Sequence, residues 1–576
     1  MSKYLDSIDS PADLKRIPQS ELPELAKEIR SALIRRLEAV GGHFGSNLGA
    51  VELEIALHYV FDSPRDKFVF DVSHQSYTHK VLTGRRGMVE PETYLDYSGF
   101  SAPEESVHDQ FKVGHTSTSL SLACGLAKAR DLTGGKGNVV AVIGDGSMSG
   151  GEAFEGLNNA AMLDSNMIIL FNDNDMSIAP NQGGMYRNFA ELRATKGTAS
   201  NNFFTAMGLE YRFLESGNDL DALIQELRSV KDIDHPIVVH ICTQKGLGSD
   251  WAQEHREEGH WVDPKGAEPS DEESPTKLNA DFLLKKIQAD PSVVVINAGT
   301  PGGLSLTPAW RAKAGKQFVD VGIAEEHAVA FTSGLARGGA KPVYLVSGSF
   351  AQRTYDQLMQ DLALNRSAGV ILVRGASIGT GDATHNGTYI SSLENIVPNV
   401  RVFSPSSMED EYAILDWAID QQEGPVIINV PESATHGPQR FSTEDVERNR
   451  VVRMGRDVAL MGYGNFQALA QEVAAELEKC DIDATVIDPV FANDIDAELL
   501  QALKGDHRLV VTLEDGMLAG GFGSAVTAFY SADDMRVLNY GARREYLDRV
   551  DGEAMRKRYH LNPETIAQEI REVLER

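Results

Sequence analysis

The chain has 576 residues, 42% of them apolar, and carries 84 acidic against 54 basic side chains for a net charge of −30. That length exceeds what one hydrophobic core holds, so two or three domains are expected, and so acidic a field argues against nucleic acid or an anionic membrane surface as partner. The three cysteines, Cys124, Cys242 and Cys480, stand far apart and form neither a disulfide frame nor a CxxC metal site.

The first residues hold no apolar leader, and no run approaches the roughly 18 apolar residues of a membrane span. A soluble cytoplasmic protein is expected. In chain order, Lys67–Phe70, Val139–Ile143, Met167–Phe171 and Pro236–Ile241 read as strands of a first segment. "DPKGAEPSDEESPTKL", from Asp263, is rich in Pro, Ser and acid and reads as a linker. Pro342–Val346, Gly369–Val373 and Val426–Val430 read as strands of a second segment. "PESATHGPQRFSTEDVERNR", from Pro431, reads as a second linker. Val458–Met461, Ala484–Ile487 and Leu509–Leu513 follow in a third. Short, fully apolar runs between helical patterns indicate parallel strands covered on both faces. The expected domains are therefore α/β, at residues 1–265, 278–432 and 451–576.

Ligands of such sheets sit at the carboxyl ends of the strands. There, "GDG" (Gly144, Asp145, Gly146) closes one run, and Asn174 follows the next, 29 residues after Asp145. The glycines allow a tight turn and close approach of a ligand, and the helix that follows presents free amides to a phosphate. That helix, "GEAFEGLNNAAML", is expected to turn Phe154, Leu157, Ala161 and Leu163 to one side. Asp145 and Asn174 offer the hard oxygens that Mg²⁺ takes together with substrate phosphates. A strand-end Asp alone is more often structural; the Asn at the neighbouring strand end is what points to a site.

This pair resembles the thiamine diphosphate signature of transketolase-like enzymes. "GGHFGSNLGAVELEIALHYVF", "FDVSHQSYTHKVLTGRR", "KVGHTSTSLS", "NDNDMSI", "VGIAEEHAV" and "LEDGMLAGGFGS" further resemble the 1-deoxy-D-xylulose-5-phosphate synthase family, nearly end to end. The resemblance implies three doubly wound α/β domains of transketolase type, two that bind thiamine diphosphate and a C-terminal one. It implies that Asp145, Asn174 and the carbonyl of Met176 hold Mg²⁺ on the diphosphate, with Gly144, Gly146 and Ser147 shaping the turn. His74, Gly114, His115 and Lys245 match further cofactor-side residues. Glu325 matches the Glu that bonds the aminopyrimidine, whereas Glu326 reads as a charge on the helix dipole. Phe350 matches the aromatic that stacks on that ring. His43, His74, His115 and His260 match active-site histidines; His79 and His255 read as structural. Arg353, Arg374 and His385 match residues that line the substrate funnel.

Some positions depart from the family pattern. Ser347 stands for a Tyr, Gly381 for an Asp (with Asp382 beside it), and Glu432 for a phosphate-binding Arg. "ESGND" (Glu215–Asp219) replaces the family's "VDGHD", and the stretch between Asn181 and Phe203 is short. Cofactor chemistry is thus expected to be kept and acceptor recognition altered. The activity implied is decarboxylation of pyruvate and transfer of the two-carbon unit to an aldehyde, by a homodimer. Transketolase-like ketol transfer from a sugar phosphate, and a non-catalytic cofactor-binding paralogue, stay open as alternatives.

Overall fold

The computed structural model describes residues 2–266, 274–431 and 435–576. Glu432 and the middle of the first linker lie outside the described residues. The chain forms two compact units, Met1–Pro269 with Val321–Ala324, and Ser270–Asp320 with Glu325–Arg576.

The described strands of the first unit are β1 (Gly42–His43), β2 (Lys67–Phe70), β3 (Val139–Gly144), β4 (Met167–Asp173), β5 (Glu210–Leu214), β6 (Pro236–Cys242) and β7 (Trp261–Val262). Five of them make one sheet in the order β2-β3-β4-β6-β5, every pair parallel. β1 and β7 pair separately and antiparallel. Alternate side chains of the central strands feed opposite cores, as the pleat requires. Val140, Val142, Ile168 and Leu170 pack with the helices Leu22–Val40 and Phe44–Val60. Ala141, Ile143, Ile169 and Phe171 pack with Ser119–Leu132 and Gly151–Ala160. Covered on both faces, β4 is buried along its whole length.

The second unit holds two sheets. β8 (Val293–Asn297), β9 (Phe318–Asp320), β10 (Lys341–Ser347), β11 (Val370–Arg374), β12 (Arg401–Phe403) and β13 (Val426–Val430) form a parallel sheet in the order β12-β13-β11-β10-β8-β9. β14 (Arg450–Arg453), β15 (Val458–Tyr463), β16 (Ala484–Asp488), β17 (Leu509–Met517) and β18 (Arg536–Ala542) follow in the order β14-β16-β15-β17-β18. Here β14 is an antiparallel edge and the remaining pairs are parallel. The fold is α/β throughout.

One expectation is corrected. Phe154 is 51% exposed, because the helix Gly151–Ala160 turns Ala153, Gly156, Leu157 and Ala160 inward instead. Small residues at that spacing let it lie close on the helix Ser119–Leu132: a Cβ at Gly156 would meet Leu120 Cβ at 2.6 Å.

Leu170→Ala, at a position 0% exposed, is expected to lower the stability of the first unit by about 2–5 kcal/mol. Urea unfolding followed by circular dichroism reads this, and a loss near zero would contradict the burial of β4.

Candidate active site

β3 and β4 run parallel with Gly144 opposite Asn172, so their carboxyl ends stand side by side. The Asp145 amide closes the turn on the Asn172 carbonyl at 3.2 Å. The carboxylate of Asp145 is 1% exposed, and its Oδ2 accepts from the Met176 amide at 2.9 Å and from Asn181 Nδ2 at 2.6 Å. Burial, reinforced by the nearby Asp173, raises its pKa well above the usual carboxylate range. On the facing turn, Asn174 Oδ1 is buried and makes no hydrogen bond among the described residues. A buried carboxylate and an orphaned amide oxygen are hard donors, the set that suits Mg²⁺. Around them the turns are closely packed: a Cβ at Gly146 would meet Ser177 Oγ at 2.7 Å, whereas one at Gly144 would meet nothing within 4 Å. The Ser147 carbonyl accepts from Ser117 Oγ at 2.8 Å, which ties this turn to the loop of Gly114 and His115.

Three of the expected histidines come together in this unit. Ring centroids of His43 and His74 are 4.7 Å apart, and each lies 5.5 Å from that of His260. Lys245 joins them, 3.2 Å from His260 Nδ1, and donates to the Ser177 carbonyl at 2.6 Å. Burial lowers the Lys245 ammonium to about 8. Burial, with Lys245, His74 and His43 nearby, holds His260 well below its usual range. His74 follows a strained turn: Val72 and Ser73 have φ of 57° and 65°, and a β-branched residue avoids that region. His79 is buried elsewhere, bonded to both His58 and Asp109 at 2.8 Å, and His255 stacks on Trp251.

In the second unit, Glu325 opens the helix Glu325–Arg337 and is 3% exposed. Burial raises its carboxyl pKa, and Arg353, with Nη1 3.5 Å from Oε2, partly opposes this. Phe350 follows β10, its ring perpendicular to that of His385 at 5.6 Å. His385 is lowered by burial, and its Nδ1 lies 2.9 Å from Thr384 Oγ1. Ser347 and Arg374 end neighbouring strands in register. Arg374 is exposed and donates to the Gly303 carbonyl at 3.0 Å, an engagement not foreseen. Asp382 caps the short turn that carries His385, accepting from the Thr384 amide at 2.9 Å. The amide of Arg549 donates to the Gly381 carbonyl at 2.7 Å, which anchors the same loop on the last sheet's segment.

Known proteins match the chain over nearly its whole length. A family model described as 1-deoxy-D-xylulose-5-phosphate synthase matches residues 5–202 and 193–243. The transketolase pyrimidine-binding domain matches 275–437, and the transketolase C-terminal domain 447–566. The 1-deoxy-D-xylulose-5-phosphate synthase of Symbiobacterium thermophilum is 37% identical, over 98% of this chain and 94% of the relative. That of Chlorobaculum tepidum is 35% identical, over 99% and 98%.

The chain belongs to the 1-deoxy-D-xylulose-5-phosphate synthase family. It has the transketolase-type domains of that family. The first family model matches in two pieces that overlap at residues 193–202, just where the helix Met185–Ala194 ends.

Several residues that hold this synthase-family site in shape escaped the sequence reading. Asn47 Nδ2 donates to the carbonyls of His43 at 2.7 Å and His74 at 2.8 Å, and its Oδ1 accepts from the Tyr77 amide. Asp71, at the end of β2, accepts from the amides of Ser117 at 2.8 Å and Ser119 at 3.0 Å, which fixes the loop after His115. Asn47 stands inside the quoted "GSNLG" stretch and Asp71 inside "FDVSH"; a polar residue that directly precedes or follows buried backbone turns was the available signal.

With its pKa so low, native His260 stays neutral while the unfolded chain takes up a proton there as pH falls through about 6.5. It therefore lowers stability below that pH, and His260→Gln removes that contribution. In the native protein its ring-proton NMR shift is expected to stay flat from pH 8 to 5.5, and a midpoint between 6 and 7 would contradict the buried environment.

Proposed function

We propose that this protein is a carboligase dependent on thiamine diphosphate and Mg²⁺, which removes CO₂ from pyruvate and joins the two-carbon unit to an aldehyde, glyceraldehyde 3-phosphate or a relative of it. The observation that carries this reading is the orphaned Asn174 Oδ1 on the turn facing the buried Asp145 carboxylate. Asp145, Asn174 and the Met176 carbonyl would hold the metal, and Gly144, Gly146, Ser147, Gly114, His115, His74 and Lys245 would receive the diphosphate side. Thiamine diphosphate, when bound, supplies a nucleophilic carbon and a sink for the electrons released with CO₂. Glu325, its carboxyl raised by burial, keeps a proton to share with the aminopyrimidine nitrogen. Phe350 would stack on that ring. Neutral His260 and His385 suit proton exchange with substrate oxygens, and His43 and His74 stand beside His260 for the same task. Arg353 and Arg374 would meet the anionic end of a substrate.

The reading includes a cytoplasmic homodimer, supported by the exposed apolar side chains Phe154 and Met162 at 51% and 82%. Light scattering of the active protein tests it. At the acceptor end, Ser347 and Gly381 offer no charge, Arg374 is engaged with a carbonyl, and Asp382 and Asp548 both flank the His385 loop. Less anionic, hydroxyl-rich aldehydes are therefore expected to compete well with glyceraldehyde 3-phosphate.

Asp145→Ala is expected to lose cofactor retention, since the charged ligand of the metal is gone; calorimetry showing parental affinity would overturn the site. Glu325→Gln is expected to bind the cofactor and lose at least about a hundredfold in kcat, with slowed deuterium exchange at the reactive cofactor carbon. Glu432→Arg is expected to raise kcat/KM for glyceraldehyde 3-phosphate roughly tenfold, about 1.4 kcal/mol. A parent that already strongly prefers the phosphate, with no gain in the variant, would restore the ordinary acceptor.

A further inference from the structure

The short stretch after Asn181 forms the helix Met185–Ala194, and that helix touches both turns of the metal-side cluster. Tyr186 and Arg193 are seven residues apart, two helical turns, and so share a face. The Tyr186 hydroxyl, in a side chain 8% exposed, donates to the carbonyls of Asp145 at 2.9 Å and Gly146 at 3.3 Å. Arg193 spans the residues on either side of Asn174. Its Nη1 donates to both oxygens of Asp173, at 2.6 and 2.9 Å, and its Nη2 to Asp175 Oδ1 at 2.6 Å. Asp175 itself is in the left-handed region, with φ of 59°. From the sheet side, His240 Nε2 bonds Asp173 Oδ2 at 2.8 Å, and the Tyr211 hydroxyl bonds His240 Nδ1 at 2.8 Å. Phe189, between the two gripping residues, is fully buried and packs on Phe171 of β4 at 4.9 Å. The grip is thus seated on the same strand that delivers Asn174.

We propose that Tyr186 and Arg193 are positioning residues: through them the helix Met185–Ala194 clamps the Asp145 turn and the Asn174 turn into the one register that a cation and a diphosphate require. The inference rests on the cofactor reading above. Arg193 does two things in the clamp. It fixes the turn, and it cancels the carboxylates of Asp173 and Asp175, which would otherwise repel a diphosphate and offer the cation wrong ligands. Tyr186 fixes the other turn without charge.

The test is calorimetric titration of thiamine diphosphate at several Mg²⁺ concentrations into the parent, Tyr186→Phe, Arg193→Met and Arg193→Lys. Outer-shell changes of this kind commonly cost 10–100-fold in metal affinity. Tyr186→Phe and Arg193→Met are expected to raise Kd for the cofactor about tenfold and to shift the Mg²⁺ requirement upward. At saturating cofactor and Mg²⁺, kcat should stay near the parent's, and Arg193→Lys should recover part of the affinity. Arg193→Met also strips Asp173 of its guanidinium partner, leaving only His240, and lowers the melting temperature; Tyr186→Phe removes one hydroxyl and should not, so a shifted Kd in that variant at unchanged melting temperature separates positioning from bracing. Parental Kd and Mg²⁺ requirement in both variants would overturn the clamp and leave a helix that merely braces the sheet. A parent that binds no cofactor at any Mg²⁺ concentration would overturn the cofactor reading, and the clamp with it.

Discussion

One buried carboxylate organises the first unit. Asp145 is lifted out of water at the end of β3, bonded by an amide and a carboxamide, and left without a cationic partner at hydrogen-bonding distance among the described residues. A charge in that position is costly unless something compensates it. The parallel pairing of β3 with β4 brings the second turn alongside, with its own unbonded oxygen on Asn174. Both are hard oxygen donors of the kind that suits Mg²⁺, and that is the support for the proposed metal site.

The surroundings divide the work of holding that geometry. Asp71 and Asn47 use carboxylate and carboxamide side chains to satisfy backbone groups of the loops that bear His115, His43 and His74. The left-handed Val72 and Ser73 persist because those bonds over-determine the turn. In the second unit, burial keeps Glu325 protonated more readily than a surface carboxyl, and Arg353 limits how far that goes. A carboxyl raised in this way takes a proton more readily than a surface one, which suits it to acid–base work.

The candidate site could be picked out of the sequence where glycines and apolar runs frame strand ends: Asp145 and Asn174 were singled out there, and the structure sets the ends of their strands side by side. Inner strands such as β3, β4 and β13 were readable for the same reason, since they are buried on both faces and spell continuous apolar runs, although the inner strand β8, apolar as well, was not picked out. β5 and β18 were not, because as edge strands they are half exposed and mix polar with apolar residues, as in "EYRFL". β9 and β12 have only three residues each and give no period to read. Phe154 misled because its hydrophobicity suggested an inward side chain, whereas close helix packing selected Ala153, Gly156 and Leu157. The roles of Asn47, Asp173 and Arg193 depend on contacts between segments far apart in sequence, and composition carries no trace of them.

The account stands on the claim that Asp145 and Asn174 await a cation before a diphosphate can bind. The direct measurement is titration of thiamine diphosphate into the unmodified protein, once with Mg²⁺ and once after chelation with EDTA. Saturable one-site binding with the cation, and its loss after chelation, is the predicted result. Equal binding in both conditions, or none in either, would contradict it.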